Sequence, residues 1–480
     1  MIQIASPSLQ AGRLRSSLFF MLKEAVAHYH HLLDDTALAS ASQLLLDTEL
    51  ERSKLVFGGR RLSPYLRPHF VTESDWSYVT TTCETVFGAL QRVKDAAVAD
   101  DSVLDELGVT EIERELVKID PKYSHVSPTS RLDSFLTEDA YSYVELNGES
   151  PAGIAFADSA SGIFQTMPVM QTFAERYNVR RLEGRSKMLD VLLKCYAEFC
   201  GGKPDHKPVI AIVDLKDLPT IKEFELFRDF FESNGYKSII CSPDELEFNG
   251  RNLVCGDETI DIVYKRLLVN EYLPIMNAQS ALLDACRAGA VCMVNSFRGK
   301  LVHKKAIFAV LTNERYSHLF NDAELSAITK HVPWTRKFRE EKTLVRTGSG
   351  SDGVSSNEID LVEWTRSNSH KLVLKPNDDY GGHGIYIGWN SSESEWTDAI
   401  AHALKNGDYL VQERVKTAKE YFPMLTDDAG NWEMVEQLVD LDPLLFLGKV
   451  GSAFTRLSSS ELANVSSGGG MVPTFIIDKR

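Results

Sequence analysis

Apolar residues recur at helical spacing over 13–48 and 84–118, as in "SSLFFMLKEAVAHYHHLLDD" and "TCETVFGALQRVKDAAVADDSVLDELG". Both stretches are predicted to be amphipathic helices. From residue 131 the texture changes to two short strands, "RLDSFL" and "YSYVELN", around a polar turn, "TEDA" at 137–140. Helical spacing returns over 185–200, and "GGKPDHKP" reads as a linker. The order "VIAIVDL", "TIKEFELFRDFFESNG", "KSIIC" predicts a β-α-β unit with a parallel strand pair. "LEFNGRNLVC" predicts a hairpin around Asn249-Gly250. "HKKAIFAVL" reads as one helical run, and "KTLVRTGSGSDGVSSNEIDL" as a mobile loop rich in Ser and Gly. "LVLKPNDDYGGHGIYIG" reads as strand, glycine loop, strand; "YLVQERV" and "LFLGKVGSAFTRLSS" add further strands. The predicted class is α/β (α+β). A helical N-terminal region covers 1–125, a strand-rich part 126–205, a small α/β unit 206–290, and a second strand-rich part 291–480.

A chain of 480 residues suits two or three domains. Its formal net charge of −16 argues against nucleic acid, which needs a basic surface. A small anionic ligand in a local basic cleft stays compatible. Seven cysteines with no C-x-x-C pair argue against a zinc site and suit reduced, buried thiols. No apolar run reaches the length of a membrane span, and the N-terminus has no signal-peptide pattern. A cytoplasmic chain with no membrane partner is expected; a homodimer is among the states left open.

Side chains two apart on a strand share a face. Arg131 and Asp133 therefore share one face of the first strand, and Glu145 and Asn147 one face of the second. Antiparallel pairing brings all four together. Two carboxylates and an amide oxygen match what magnesium accepts when phosphates fill its other positions. An arginine beside them offers a bidentate phosphate clamp. The same residues equally suit a polar surface hairpin with cross-strand ion pairs. Lys375 ends an apolar strand, and Gly381, Gly382 and Gly384 free the backbone that follows to approach an anion. A plain hairpin with a glycine turn accounts for that piece too. No P-loop and no G-x-G-x-x-G after a strand is present. Lys304 and Lys305, adjacent on a helix, are expected to face solvent. His28, His30 and His31 spread around their helix and are expected to be structural.

Taken in order, "RLD…VELNGESPAG", "NSFRGKLVHKKAIFAVL", "LVLKPNDDYGGHGIYIG", "YLVQERV" and "TRLSSSELANVSSGGGMVPTFII" resemble the circularly permuted ATP-grasp enzymes, the group that includes glutathionylspermidine synthetase. The resemblance spans 131–480 and leaves 1–125 unmatched. It implies a permuted ATP-grasp fold, whose metal-binding part is 126–205, whose nucleotide-binding part is 291–480, and whose 206–290 unit lies on the substrate side. It implies ATP and Mg2+, with Asp133, Glu145 and Asn147 as metal residues. Arg131 would orient the substrate carboxylate, and Arg456 would stabilise the transferred phosphoryl group. Lys305, rather than Lys304, and Lys375 would match the two nucleotide lysines. Tyr380, Gly381, Gly382 and Gly384 would form the cover over the phosphates, and Gln412, Glu413 and Val415 would run along the adenine. The implied activity is ATP-dependent ligation of a small carboxylate to an amine through an acyl phosphate, releasing ADP and phosphate. A non-catalytic nucleotide-binding module and a small-acid kinase are the alternatives. Two departures stand out: His383 inside the glycine loop, and no lysine in "LSSSELANVSSGGG" to match a second basic residue that glutathionylspermidine synthetase carries. Arg266 and Asn295 point toward the expected cleft, though a structural role is the commoner one for each.

Overall fold

The computed structural model describes residues 21–53, 55–57, 59–347, 355–426, 431–461 and 469–480. Its spine is an antiparallel sheet ordered Gly470–Val472, Lys449–Ser458, Trp432–Phe446, Thr129–Leu136, Tyr141–Asn147. The long Trp432–Phe446 strand changes partner along its length. Its first half pairs with Ala418–Leu425, and its last residues pair with Thr129–Arg131. A small sheet of His69–Thr72, Thr474–Lys479 and Tyr177–Arg181 joins the N-terminal region to the chain's end.

The N-terminal helices are shorter than their periodicity suggested. Helix runs over 21–32 and then restarts at Thr36–Arg52, where the Asp35 side chain caps the amides of Ala37 and Leu38. The 84–118 stretch falls on three helices: Glu73–Ala99, Asp101–Leu107 and Glu111–Val117. Asp100 ends the first and caps the second, and Gly108 closes the second in the left-handed region. Periodicity persists through such breaks because each piece buries an apolar face.

Four parallel strands, ordered Cys292–Val294, Ile262–Lys265, Ile210–Val213, Ser238–Cys241, make the α/β unit. Helix Ile221–Ser233 makes the crossover between two of them. The expected hairpin is present, with Phe248 opposite Leu253. An antiparallel sheet of Thr335–Lys337, Tyr409–Glu413, Leu372–Pro376 and Tyr386–Ile387 builds the remaining lobe, with helix Glu393–Asn406 on it. The Ser/Gly-rich stretch read as a loop instead starts and ends as a two-stranded ribbon, Lys342–Thr347 with Ser355–Asp360. β-Branched and apolar residues such as Thr343, Val345 and Ile359 support that pairing; the segment between lies outside the described residues. No described helix is long and apolar enough to cross a membrane.

Glu149 joins the parts. It is fully buried; it accepts from the Val269 amide at 2.7 Å and lies 3.1 Å from Lys300 Nζ and 3.4 Å from Lys265 Nζ. Burial alone would raise its pKa, but Lys300 and Lys265 outweigh it and hold the carboxyl at about 2. Removing Glu149 takes a carboxylate from two buried ammonium groups. Glu149→Ala is expected to cost about 3–5 kcal/mol, measured as a lowered midpoint in urea unfolding, whereas a surface Glu→Ala change would leave the midpoint in place.

Candidate active site

The two motif strands, Thr129–Leu136 and Tyr141–Asn147, pair antiparallel, with Arg131 opposite Asn147 and Asp133 opposite Glu145. The turn is the expected one, closed by Thr137 N donating to Ala140 O at 2.8 Å. Between Asp133 and Ser134 the register slips by one residue, leaving Val144 unpaired in a bulge. All four motif side chains line one cavity of about 530 Å³.

Asp133 is the most heavily engaged of them. Arg131 grips it with both ends of its guanidinium, at 2.8 and 3.2 Å. Asn147 Nδ2 donates to it at 2.9 Å and Arg456 Nη2 at 2.6 Å. Burial opposes the ionised form, yet the two arginines outweigh it and hold Asp133 at about 2. Two further buried carboxylates complete the group. Asp440 accepts from Arg456 Nη2, and Asp442 Oδ2 lies 3.0 Å from Arg456 Nε. Burial raises both acids despite Arg456; Asp133 adds to it at Asp440, and Asp133 and Asp440 add to it at Asp442. Asp133, Asp440 and Asp442 have oxygens close enough together for a metal ion, but guanidinium nitrogens already sit among them. We assign this triad as the anionic half of an ion-pair cluster.

The lysines separate cleanly. Helix Lys300–His303 ends at Lys304, and helix resumes at Ile307, so "HKKAIFAVL" is not one continuous helix. Both Lys304 and Lys305 are buried, not solvent-facing. Lys304 turns into the protein, 3.1 Å from Glu113 and 2.8 Å from Asp378. Lys305 faces the cavity, donating to the Asp379 carbonyl and lying 3.4 Å from Glu145. Lys375 is buried beside it, donating to Gln412 Oε1 and to the Val144 carbonyl freed by the bulge, both at 2.8 Å. Burial, helped by Lys305 and opposed by Glu145, lowers Lys375 to about 8. In the glycine loop, Gly381, Gly382 and Gly384 all have positive φ. Tyr380, Gly381 and Gly382 line the cavity, and Tyr380 Oη donates to Glu271 across it at 3.0 Å.

Other predicted residues lie apart. Gly384 does not line the cavity, and Gln412 is buried between Lys375 and Thr335. Glu413 and Val415 line a separate cavity of about 560 Å³ with Lys371 and Arg414. Asn295 is structural: it exchanges hydrogen bonds with the Thr129 backbone at 3.1 and 2.7 Å. Arg266 does line the cavity, but its guanidinium is held by Glu223 at 3.1 Å and by the Pro151 carbonyl at 2.8 Å. His28 and His30 belong to the N-terminal helix, away from this cavity.

Several lining residues were not anticipated: Asp214, where burial raises the carboxyl to about 7; His303, where burial lowers the imidazole to about 4; and Glu271. Asp440 and Asp442 were also missed, although "VDLDP" carries the same two-residue spacing as R-x-D. The donor set fits a hard divalent cation at Glu145 and Asn147, both half-buried on one strand face, with Asp133 adjacent but already carrying two guanidinium groups.

No known family model and no curated protein matches the chain. Among solved structures it is similar to a glutathione synthetase-like effector from Globodera pallida in its apo form, with a TM-score of 0.57 and 14% identity over 91% of this chain and 96% of that one. The likeness is one of fold, a mixed α/β architecture shared over nearly the whole of both chains. Weaker matches are a putative γ-glutamylcysteine synthetase from Methylobacillus flagellatus KT (TM-score 0.39, 9% identity, 83% of this chain and 86% of that one) and D-alanyl-alanine synthetase A from Vibrio cholerae (TM-score 0.25, 13% identity, 48% and 67%).

Arg456 lies beside three buried carboxylates, Asp133, Asp440 and Asp442. Arg456→Ala is expected to destabilise the protein by about 3–5 kcal/mol, and more at pH 8 than at pH 5.5. Without the guanidinium Asp133 loses the partner that holds its carboxyl low, and Asp440 and Asp442, already raised by burial, rise further, so stability is retained at low pH and lost as pH rises through the raised folded-state values. Unfolding midpoints at the two pH values check this; an equal loss at both would contradict it.

Proposed function

We propose that the protein is an ATP-dependent carboxylate–amine ligase of the permuted ATP-grasp type. One observation carries the reading: Arg131, Asp133, Glu145, Asn147, Lys305 and Arg456, from four separate segments, line one cavity under the Tyr380–Gly382 backbone. The chain order supports the permuted arrangement, because the carboxylate hairpin precedes both lysines. The structural neighbour is itself described as glutathione synthetase-like, which agrees with ligation.

In this reading Lys305 and Lys375 hold the nucleotide's phosphates, and the glycine loop supplies backbone amides over them. The adenine lies along the strand end from Gln412 to Val415, in the second cavity beside Glu413. Glu145 and Asn147 would hold magnesium, which would supply charge neutralisation to the phosphates, while Asp133 stays bonded to Arg131 and Arg456 and orients both arginines beside it. Arg131 orients the acid substrate. A carboxylate oxygen attacks the γ-phosphorus of ATP; the bond to the β-phosphate oxygen breaks and ADP leaves. The amine nitrogen then attacks the acyl carbon, the bond to the phosphate oxygen breaks, and a proton passes to solvent. Arg456 spreads the charge that develops on the phosphoryl group. Tyr380, bonded to Glu271, keeps the loop over the cavity and limits water entry.

Glu145→Ala is expected to lower ADP release by about 10²–10³-fold while leaving the unfolding midpoint near wild type; full turnover in the variant would remove Glu145 from the site. Lys375 gives a pH signature. Its pKa of about 8 means the charge is present below that pH and lost above it. ATP affinity should weaken by about tenfold from pH 7 to 9. Lys375→Arg, charged throughout, should flatten the profile. Calorimetric titration at both pH values reads the difference, and an unchanged profile in the variant would exclude Lys375 from phosphate binding.

A further inference from the structure

The charges and walls of the cavity also bear on which acid it takes, an inference that rests on the ligase reading above. Four cations line it among the described residues: Arg131, Arg266, Lys305 and Arg456. Each already has a protein carboxylate beside it. Arg131 holds Asp133, Arg266 holds Glu223, Lys305 lies by Glu145, and Arg456 holds Asp133 with Asp440 and Asp442. Against them stand four lining carboxylates, Asp133, Glu145, Glu271 and Asp379, with a fifth, Asp214, that burial raises to about 7 and leaves partly protonated at neutral pH. A second carboxylate on the acid would enter an already anionic space without a counter-charge, which is unfavourable.

The wall beside Arg131 is apolar. The Arg131 guanidinium lies 5.7 Å from the Phe454 ring centroid and donates to the Ala152 carbonyl at 2.9 Å. Gly153 follows in the left-handed region, where a Cβ would meet Phe454 at 2.6 Å, so the ring can close in only on glycine. Phe156 follows in the next helical turn. Glu223 Oε1 accepts from the amides of Gly153 at 2.8 Å and Ala155 at 3.1 Å. That contact ties the Glu223 helix to this wall, and Leu218 and Pro219, just before that helix, line the same cavity. Leu62 reaches it from the N-terminal region, fixed by its carbonyl accepting from Met471 N at 2.8 Å.

We infer that the acid substrate is a monocarboxylate with an apolar body, its carboxylate at Arg131 and its body against Leu62, Phe156, Leu218 and Phe454. Leu218 sets the preference, because it is half-exposed on a turn and lies outside the charged cluster.

The experiment uses the full chain with ATP, Mg2+ and hydroxylamine as the amine. Hydroxylamine nitrogen displaces phosphate from the acyl carbon and leaves a hydroxamate. Hexanoate and phenylacetate are compared with glutarate and glutathione, following both ADP and hydroxamate. Wild type should favour hexanoate over glutarate by about tenfold or more in kcat/KM. Leu218→Arg should reduce that ratio about tenfold by improving glutarate. Hydroxamate from glutarate or glutathione in preference to hexanoate would overturn the inference and leave the ligase reading standing. ADP with hexanoate but no hydroxamate would overturn the ligase reading while retaining the acid class. No ADP with any of the four acids would overturn both.

Discussion

Five buried side chains set the terms for the rest of the molecule: Arg131, Asp133, Asp440, Asp442 and Arg456. Three carboxylates and two guanidinium groups cannot be buried unless each finds its partner, and partial pairing is worse than none. The sheet provides the ruler. Arg456 and Asp440 are direct cross-strand partners, and Arg131 sits opposite Leu444 on the next strand. The cluster therefore crosses three adjacent strands on one face, and a shift of any one strand by a residue would turn its charges to the other side. Three carboxylates face two guanidinium groups, and the raised pKa values of Asp440 and Asp442 let a proton make up the difference.

The hairpin was legible in the sequence because its chemistry follows a period of two and its turn is polar. The α/β unit was legible because each apolar strand is short and bounded by turn residues. Asp440 and Asp442 carry the same period but lie in a long, mostly apolar strand, and the hairpin they meet is about three hundred residues away in sequence. Nothing local says that they are needed. The paired lysines failed for a different reason. Helical spacing predicted solvent exposure, whereas the buried Glu113 and half-buried Asp378 for Lys304, and the half-buried Glu145 for Lys305, draw the two ammonium groups in different directions, and the helix breaks there. Tertiary charge pairing overrode local propensity.

Residues 1–125, which carry no resemblance, are not an appendage. Glu113 reaches the lysine network, Leu62 reaches the cavity, and His69–Thr72 pairs with the chain's last strand. The N-terminal region thus completes a site whose identifiable chemistry lies elsewhere in the chain. That division also explains why the glycine loop and its lysines stood out in the sequence while the apolar wall did not: a glycine-rich backbone beside a lysine is a local pattern, while an apolar wall assembled from distant segments has no linear signature.

The unpaired Val144 has a consequence for how such a site can change. Toward the turn, the two strands follow one register; toward Arg131 and Glu145 they follow another. The bulge is the joint between them, and Lys375 clamps its carbonyl. A change of register near the turn is taken up at that joint before it reaches the charged pairs. One hairpin thus serves two cavities in two registers, its turn end with Thr137 and Asp139 at the second and its far end with Arg131 and Glu145 at the first.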